Sequence, residues 1–187
     1  MSLLAPPEHI LLRKPRSRDG SALHELVRSC PPLDENSVYC NLLQCTHFAE
    51  ASVVGEIDGQ LVCAISAYLV PGREDTLFIW QVAVTGSARG RGVAGRMLNH
   101  ILARPACAGV RYLETTVTDS NQASWALFES FARRSEAALH RSPLFERRQH
   151  FAGEHETEVL ARIGPLPEFH RRSATTSTTE YAMEKSA

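Results

Sequence analysis

Apolar positions along the chain fall into three zones of different period. In the first, ILLRKPRS (10–17) predicts a strand, and DGSALHELVRSC (19–30) places Leu23, Leu26 and Val27 at helical spacing, with Ser17 or Asp19 as caps. Pro31 and Pro32 end that helix. LDENSVYCNLLQC (33–45) predicts a second helix, headed by Asp34, with Val38, Leu42 and Cys45 on one apolar face. In the second zone, ASVVGEI (51–57) and QLVCAISAYLV (60–70) are β-rich runs joined by Asp58-Gly59, a dipeptide suited to a two-residue hairpin. TLFIWQVAVT (76–85) is continuously apolar, as a strand covered on both faces is.

The third zone returns to helical spacing. Val93, Met97, Leu98, Ile101 and Leu102 mark a helix after a glycine-rich segment, and VRYLETTVT (110–118) a strand. NQASWALFESFA (121–132) predicts a helix capped by Asn121, and SPLFERRQH (142–150) and TEVLARI (157–163) two closing strands. The order β-α-α-β-β-β-α-β-α-β-β predicts an α+β (mixed α/β) domain with a mostly antiparallel twisted sheet, flanking helices and one β-α-β unit. Residues 10–165 form this one domain. Beyond Pro167 the Ser/Thr-rich RRSATTSTTEYAMEKSA has too little apolar content to pack, and residues 168–187 are expected to be disordered.

The glycine segment TGSARGRGVAGRML carries two readings. Gly90, Gly92 and Gly95 spell the dinucleotide fingerprint G-x-G-x-x-G, and residues 89–94 spell R-x-x-G-x-A, a pattern that cradles the pyrophosphate of coenzyme A. A Rossmann turn follows the first strand of its domain, whereas several strands and a hairpin precede this one. A phosphate loop fits less well still, because no Gly-Lys-Ser/Thr follows. The coenzyme reading needs successive main-chain N–H groups at a helix N-terminus, small residues at Gly90, Gly92, Ala94 and Gly95, and charge from Arg89 and Arg91. A solvated Gly-rich turn is its plain alternative.

Composition narrows the partners. The 187 residues carry a formal net charge of −1, which argues against a nucleic acid or membrane held by bulk electrostatics. Basic residues cluster locally at Arg89, Arg91 and Arg96, which suits a phosphorylated small molecule. Five scattered cysteines with no C-x-x-C suit a reducing, cytoplasmic setting, and the start lacks the basic-then-apolar pattern of a signal peptide. No metal is expected, since Val159 replaces the second histidine of H-E-x-x-H.

LFIWQVAV, RGRGVA and NQASWALFE together resemble the Gcn5-related N-acetyltransferase (GNAT) superfamily. The resemblance implies that the strand holding Val82, Ala83 and Val84 splays from its neighbour and pairs with the pantetheine arm of acetyl-CoA. It also implies that Asn121 contacts that cofactor. PPLDENSVYCNLLQCTHF, FIWQVAV and TVTDSNQASWALF are similar to the diaminobutyrate acetyltransferase branch, over about residues 10–165. This implies acetyl transfer to the 4-amino group of L-2,4-diaminobutyrate on the route to the compatible solute ectoine, and a homodimer.

A small diamino acid needs acceptors for its ammonium groups. Asp34, Tyr39, Trp80 and Gln81 are the candidate binding residues. Asp34 equally suits a helix cap, and Tyr39 and Trp80 equally suit a core. An alkylammonium of pKa about 10 must lose a proton, at about 4 kcal/mol at pH 7. Glu158 or His155 is the candidate base, and an N–H near Val82 the group that polarises the carbonyl. If GEHETEVL (153–160) is extended, Glu156 and Glu158 share a face and His155 points away, whereas a turn before Thr157 changes that geometry. A solvated strand edge is the alternative there. Many GNAT members protonate the leaving thiolate with a tyrosine at the position of Phe128, which cannot donate. The rival functions are acetylation of another small amine or a protein N-terminus, non-catalytic acyl-CoA sensing, and NAD(P)-dependent oxidoreduction.

Overall fold

Asp58 and Gly59 take φ of 49° and 80°, and the chain reverses there between strands β2 (Val53–Ile57) and β3 (Gln60–Val70). Two left-handed residues in succession match the twist of the flanking strands, which is why an Asp-Gly pair serves. The computed structural model describes residues 9–167. Before the hairpin come strand β1 (Leu11–Arg13) and helices α1 (Gly20–Arg28) and α2 (Val38–Gln44). After it come β4 (Arg73–Val84), α3 (Val93–Leu102), β5 (Tyr112–Val117), α4 (Gln122–Arg134), β6 (Leu139–Phe145), α5 (Arg147–Phe151) and β7 (Glu158–Ile163). The expected tail at 168–187 lies outside the described residues.

The seven strands form one sheet in the order β1-β2-β3-β4-β5-β7-β6. Every neighbouring pair is antiparallel except β4 and β5, whose connection runs through α3. Alternation along the strands divides the side chains between two cores. Cys63, Ile65, Leu77, Ile79, Leu113, Ala161 and Ile163 face α3 and α4, where Met97, Leu98, Ile101, Phe128 and Phe131 complete the main core. Val54, Ala64 and Ala83 face Leu23, Leu26 and Val27 of α1. Each large aliphatic group buried this way contributes about 1.5–3 kcal/mol.

Five expectations need correction. Neither Ser17 nor Asp19 caps α1 with its side chain. Asp19 instead accepts two hydrogen bonds from Arg13, at 2.7 and 3.0 Å, and one from the Arg16 N–H at 2.7 Å. Helix α2 starts at Val38, where the Ser37 hydroxyl accepts from the Cys40 N–H at 3.2 Å, so Asp34 lies in the preceding loop. Its inward face is largely polar: Asn41 and Gln44 are fully buried and bonded to each other at 2.9 Å, and of the expected apolar face only Cys45 is buried, while Val38 and Leu42 are exposed. The 142–150 run is strand only to Phe145, and Arg147–Phe151 forms α5. Finally, β4 is covered along its length on one face and only in part on the other, where Thr76 and Ala83 are buried. Leu77 and Ile79 are covered, but Trp80 on the other face is 41% exposed, because the α1 layer reaches that face only at Ala83.

Glu114, 2% exposed, ties three strands together at the base of the β4–β5 pair. Arg73 of β4 donates to both of its oxygens, at 2.8 and 2.9 Å, and Arg162 of β7 donates to Oε1. Burial pushes this carboxyl up, but the hydrogen bonds from Arg73 and Arg162 outweigh it and hold it below the ordinary carboxylate range. A lowered folded-state pKa means stability that is fully present above the unfolded value and lost as pH falls through the folded one. Glu114→Gln should therefore cost about 2 kcal/mol at pH 7 in urea unfolding, and the difference should shrink below about pH 4. A difference independent of pH would remove the ion-pair explanation.

Candidate active site

Strands β4 and β5 pair only from Thr76↔Tyr112 to Ile79↔Thr115. Beyond Ile79, β4 continues to Val84 on β3, and β5 continues to Val117 on β7, so a wedge opens between them. The Val84 carbonyl lies outside the ladder and accepts from Arg89 Nε at 2.9 Å and from the Cys30 thiol at 3.4 Å. Val82, two residues away, shares that orientation, so its main-chain groups also address the wedge. Ala83 is turned the other way, its side chain 1% exposed under α1.

The wedge leads into a cleft of about 540 Å³. Val82, Val84, Arg89, Gly90, Gly92, Ala94, Gly95 and Asn121 line it together, and Ala83 and Arg91 are not among the lining residues. Gly90 and Gly92 have φ of 75° and 68°, and a Cβ at either would project into open space. That bare concavity fits a diphosphate that approaches the main chain closely. Gly92 is the N-cap of α3, and the first helical hydrogen bond is Arg96 N–H to Gly92 O at 3.2 Å. The N–H groups of Val93, Ala94 and Gly95 precede it and carry the positive end of the helix dipole.

The far wall escaped the sequence reading. Ala123, Leu127, Ser130 and Arg134 of α4 line the cleft at helical spacing, opposite the buried face of Trp125, Phe128 and Phe131. Asn121 anchors this helix, its Oδ1 accepting from the Ser124 N–H at 3.1 Å. At the other end a Cβ on Gly95 would lie 2.7 Å from the Arg134 guanidinium, so glycine there lets a cation reach over the loop. The signal was available: small and polar residues on one stripe of a helix whose other stripe is aromatic. Phe128 lies 2% exposed in the main core and brings no donor to the cleft. Cys30 to Leu33 form the third wall.

On the opposite face of the sheet, Trp80 packs against Phe48 and Tyr68 at ring distances of 6.4 and 6.3 Å. Val159, Ala161 and Ile163 of β7 pack toward the main core, which turns Glu158 to the face that carries Trp80. The segment before β7 turns at Ala152 and Gly153 instead of running extended. His155 consequently stands beside Glu158, Nε2 to Oε1 3.9 Å, while Glu156 accepts from Ser120 Oγ at 3.0 Å, the reverse of the extended expectation. Both ends of the Gln81 amide are engaged by the loop that holds Asp34. Tyr39 is 69% exposed on the outer side of α2 and does not line the cleft.

Burial pushes the thiols of Cys45, Cys63 and Cys107 up to about 11, which disqualifies them as nucleophiles at neutral pH. Among the described residues no group of three or more His, Cys, Asp or Glu is placed to hold a metal, and no helix is long and apolar enough to cross a membrane.

Comparison with known proteins places the fold and the sequence in one family. Residues 21–132 match the model of the acetyltransferase (GNAT) family. The chain is 49% identical over 157 residues to the L-2,4-diaminobutyric acid acetyltransferase of Methylotuvimicrobium alcaliphilum, covering 84% of this chain and 91% of that one. It is 48% identical to the enzyme of the same name from Vibrio cholerae, covering 82% and 88%. Among solved structures, the diaminobutyrate acetyltransferase EctA from Paenibacillus lautus, in complex with L-2,4-diaminobutyric acid and coenzyme A, superposes with a TM-score of 0.81 at 38% identity, covering 84% of this chain and 96% of that one. The Escherichia coli ribosomal-protein-S18-alanine N-acetyltransferase shares the fold at 14% identity and a TM-score of 0.66. A parted β4–β5 pair that opens onto a glycine-lined helix start, in a sequence this close to those enzymes, makes the chain a member of the GNAT family, in its diaminobutyrate acetyltransferase branch.

Proposed function

We propose that this enzyme transfers the acetyl group of acetyl-CoA to the 4-amino group of L-2,4-diaminobutyrate, giving N4-acetyl-diaminobutyrate for ectoine biosynthesis. The observation that carries the reading is the continuity of one cleft from the β4–β5 wedge to the bare glycine cradle. It fits a long coenzyme with a diphosphate at one end and a reactive thioester at the other. Bound acetyl-CoA supplies the acetyl group in activated form. The Val82 carbonyl and the Val84 N–H offer main-chain partners for the pantetheine amides, and Gly90, Gly92, Ala94 and Gly95 surround the diphosphate with N–H groups. Arg89, Arg91 and Arg134 add positive charge.

The amine enters from the face that carries Trp80 and attacks directly, both substrates being bound at once. Asp34 accepts an ammonium hydrogen, and the Trp80 face supplies a cation-π wall. Glu158 takes the proton that the 4-ammonium must lose, with His155 beside it to pass that proton to solvent. The Val82 N–H polarises the carbonyl where negative charge develops. Collapse of the adduct breaks the acetyl C–S bond, and coenzyme A leaves as a thiolate that takes the amine's second proton through water, since Phe128 offers no donor.

The α2 helix supports a homodimer. It buries Asn41 and Gln44 but shows Val38, Tyr39 and Leu42 to solvent, an inversion that a second copy of the chain resolves. Tyr39 belongs to that surface. Five free cysteines suit a reducing cytoplasm.

Thiol release from acetyl-CoA, followed with L-2,4-diaminobutyrate and with peptides, polyamines and aminoglycosides, tests the assignment. The expected kcat/KM for diaminobutyrate exceeds that of the others by at least about 100-fold, as buried polar complementarity allows. NMR of the product should place the acetyl group on N4. Preference for a peptide overturns the substrate, and tight acetyl-CoA binding without amine-dependent thiol release overturns catalysis.

A further inference from the structure

The segment joining α1 to α2 is a wall shared by two sites. Its first part, Cys30 to Leu33, lines the cofactor cleft. Its second part carries Asp34 and is tied down by one side chain of β4. Gln81 Nε2 donates to the Asp34 carbonyl at 2.8 Å, and Gln81 Oε1 accepts from Asn36 Nδ2 at 2.8 Å.

A bulge puts Gln81 there. Ile79 pairs with Ala67 and Gln81 with Ser66, neighbours on β3, so Trp80 is an extra residue in β4. The alternation slips by one at that point. Ile79 and Val82 both pack toward the main core, and the two residues between them, Trp80 and Gln81, face away from it together. In a regular strand the residue after Trp80 would point into the core and could not reach the loop.

We propose that Gln81 is the positioning residue for amine recognition: it holds the Asp34 loop in register with the Trp80 wall. This rests on the reading of Asp34 as the ammonium acceptor. The tie is local. Cys30 is anchored separately, 2% exposed with its thiol on the Val84 carbonyl, so losing Gln81 releases residues 34–37 and leaves the cofactor wall in place. A released loop presents Asp34 correctly for only a fraction of the time, and apparent amine affinity falls by that fraction.

Steady-state kinetics with L-2,4-diaminobutyrate, acetyl-CoA titration and hydrogen exchange of Gln81→Leu, Gln81→Glu, Asn36→Ala and the double variant test this. Gln81→Leu should raise the amine KM by about tenfold, with the acetyl-CoA Kd within about twofold and exchange at 34–37 accelerated. Gln81→Glu, which keeps the acceptor for Asn36 and loses the donor to Asp34, should fall between. Asn36→Ala should raise KM by itself and add less than its full effect to Gln81→Leu, because both act through one loop. An unchanged KM in Gln81→Leu overturns the proposal. So does a silent Asn36→Ala, which would mean that Gln81 touches the amine directly, and so does a parallel loss of acetyl-CoA affinity. If the parent chain does not turn over diaminobutyrate, the functional reading fails, and exchange at 34–37 still decides the tie: protection unchanged in Gln81→Leu overturns it.

Discussion

Glu158→Gln should lower kcat by about 100-fold or more while the acetyl-CoA Kd stays within about twofold. The replacement keeps the shape of the side chain and its hydrogen-bonding capacity but cannot take a proton at neutral pH. A free 4-ammonium of pKa about 10 presents roughly one unprotonated molecule per thousand at pH 7, so an enzyme without its base relies on that minority. The defect should therefore shrink as pH rises toward the amine's own pKa, a rescue that loss of packing cannot produce. His155 stands 3.9 Å from Glu158 across a separation that a small shift or a water closes. If His155 is the acceptor itself, His155→Gln will carry the large loss and Glu158→Gln a small one, and the roles assigned above are then exchanged. Stopped assays from pH 6 to 10 on both variants decide the matter.

What was legible in the sequence tracks how local the determining physics is. The hairpin at Asp58-Gly59, the α3 stripe from Val93 to Leu102 and the Asn121 cap are written in a few adjacent residues, and each formed as expected. Gly90 and Gly92 stand out by residue type alone, and both take a positive φ that glycine meets at no steric cost. Long-range competition was not legible. Asp19 looks like a helix cap until Arg13, brought near it by the fold, claims its carboxylate. Helix α2 looks amphipathic in the ordinary sense, yet a polar pair at Asn41 and Gln44 faces inward. The β4 bulge depends on register against β3, so no inspection of FIWQVAV alone tells that Trp80 and Gln81 share a side. The direction of His155 stayed open between an extended run and a turn for a similar reason: the turn at Ala152 and Gly153 includes a non-glycine residue with positive φ, which a sequence pattern does not announce.

Gly92→Glu should weaken acetyl-CoA binding by at least about 100-fold, which titration calorimetry would measure directly. Two effects combine at this position, and they separate cleanly. As the N-cap of α3, Gly92 holds φ 68° and ψ 14°, and any side chain there adds strain of about 1–2 kcal/mol that appears in folding stability. Gly92→Ala carries that strain and a single methyl group, so it should bind acetyl-CoA several-fold more weakly and melt a few degrees lower. The glutamate carries the same strain but also sends a carboxylate into the open side of the loop, where a Cβ meets nothing within 4 Å. A unit charge about 4 Å from one phosphate charge costs about 4 kcal/mol at an effective dielectric constant near 20, and partial solvent access reduces this. Even two-thirds of that figure amounts to the two decades expected. The amides of Val93 to Gly95 cannot offset it, because the carboxylate competes for the same donors proposed to hold the diphosphate. The two variants should therefore share a melting temperature within a few degrees and differ widely in affinity. If Gly92→Glu binds acetyl-CoA as well as Gly92→Ala does, the diphosphate does not lie in this loop, and the proposed path of the cofactor from wedge to helix start is wrong.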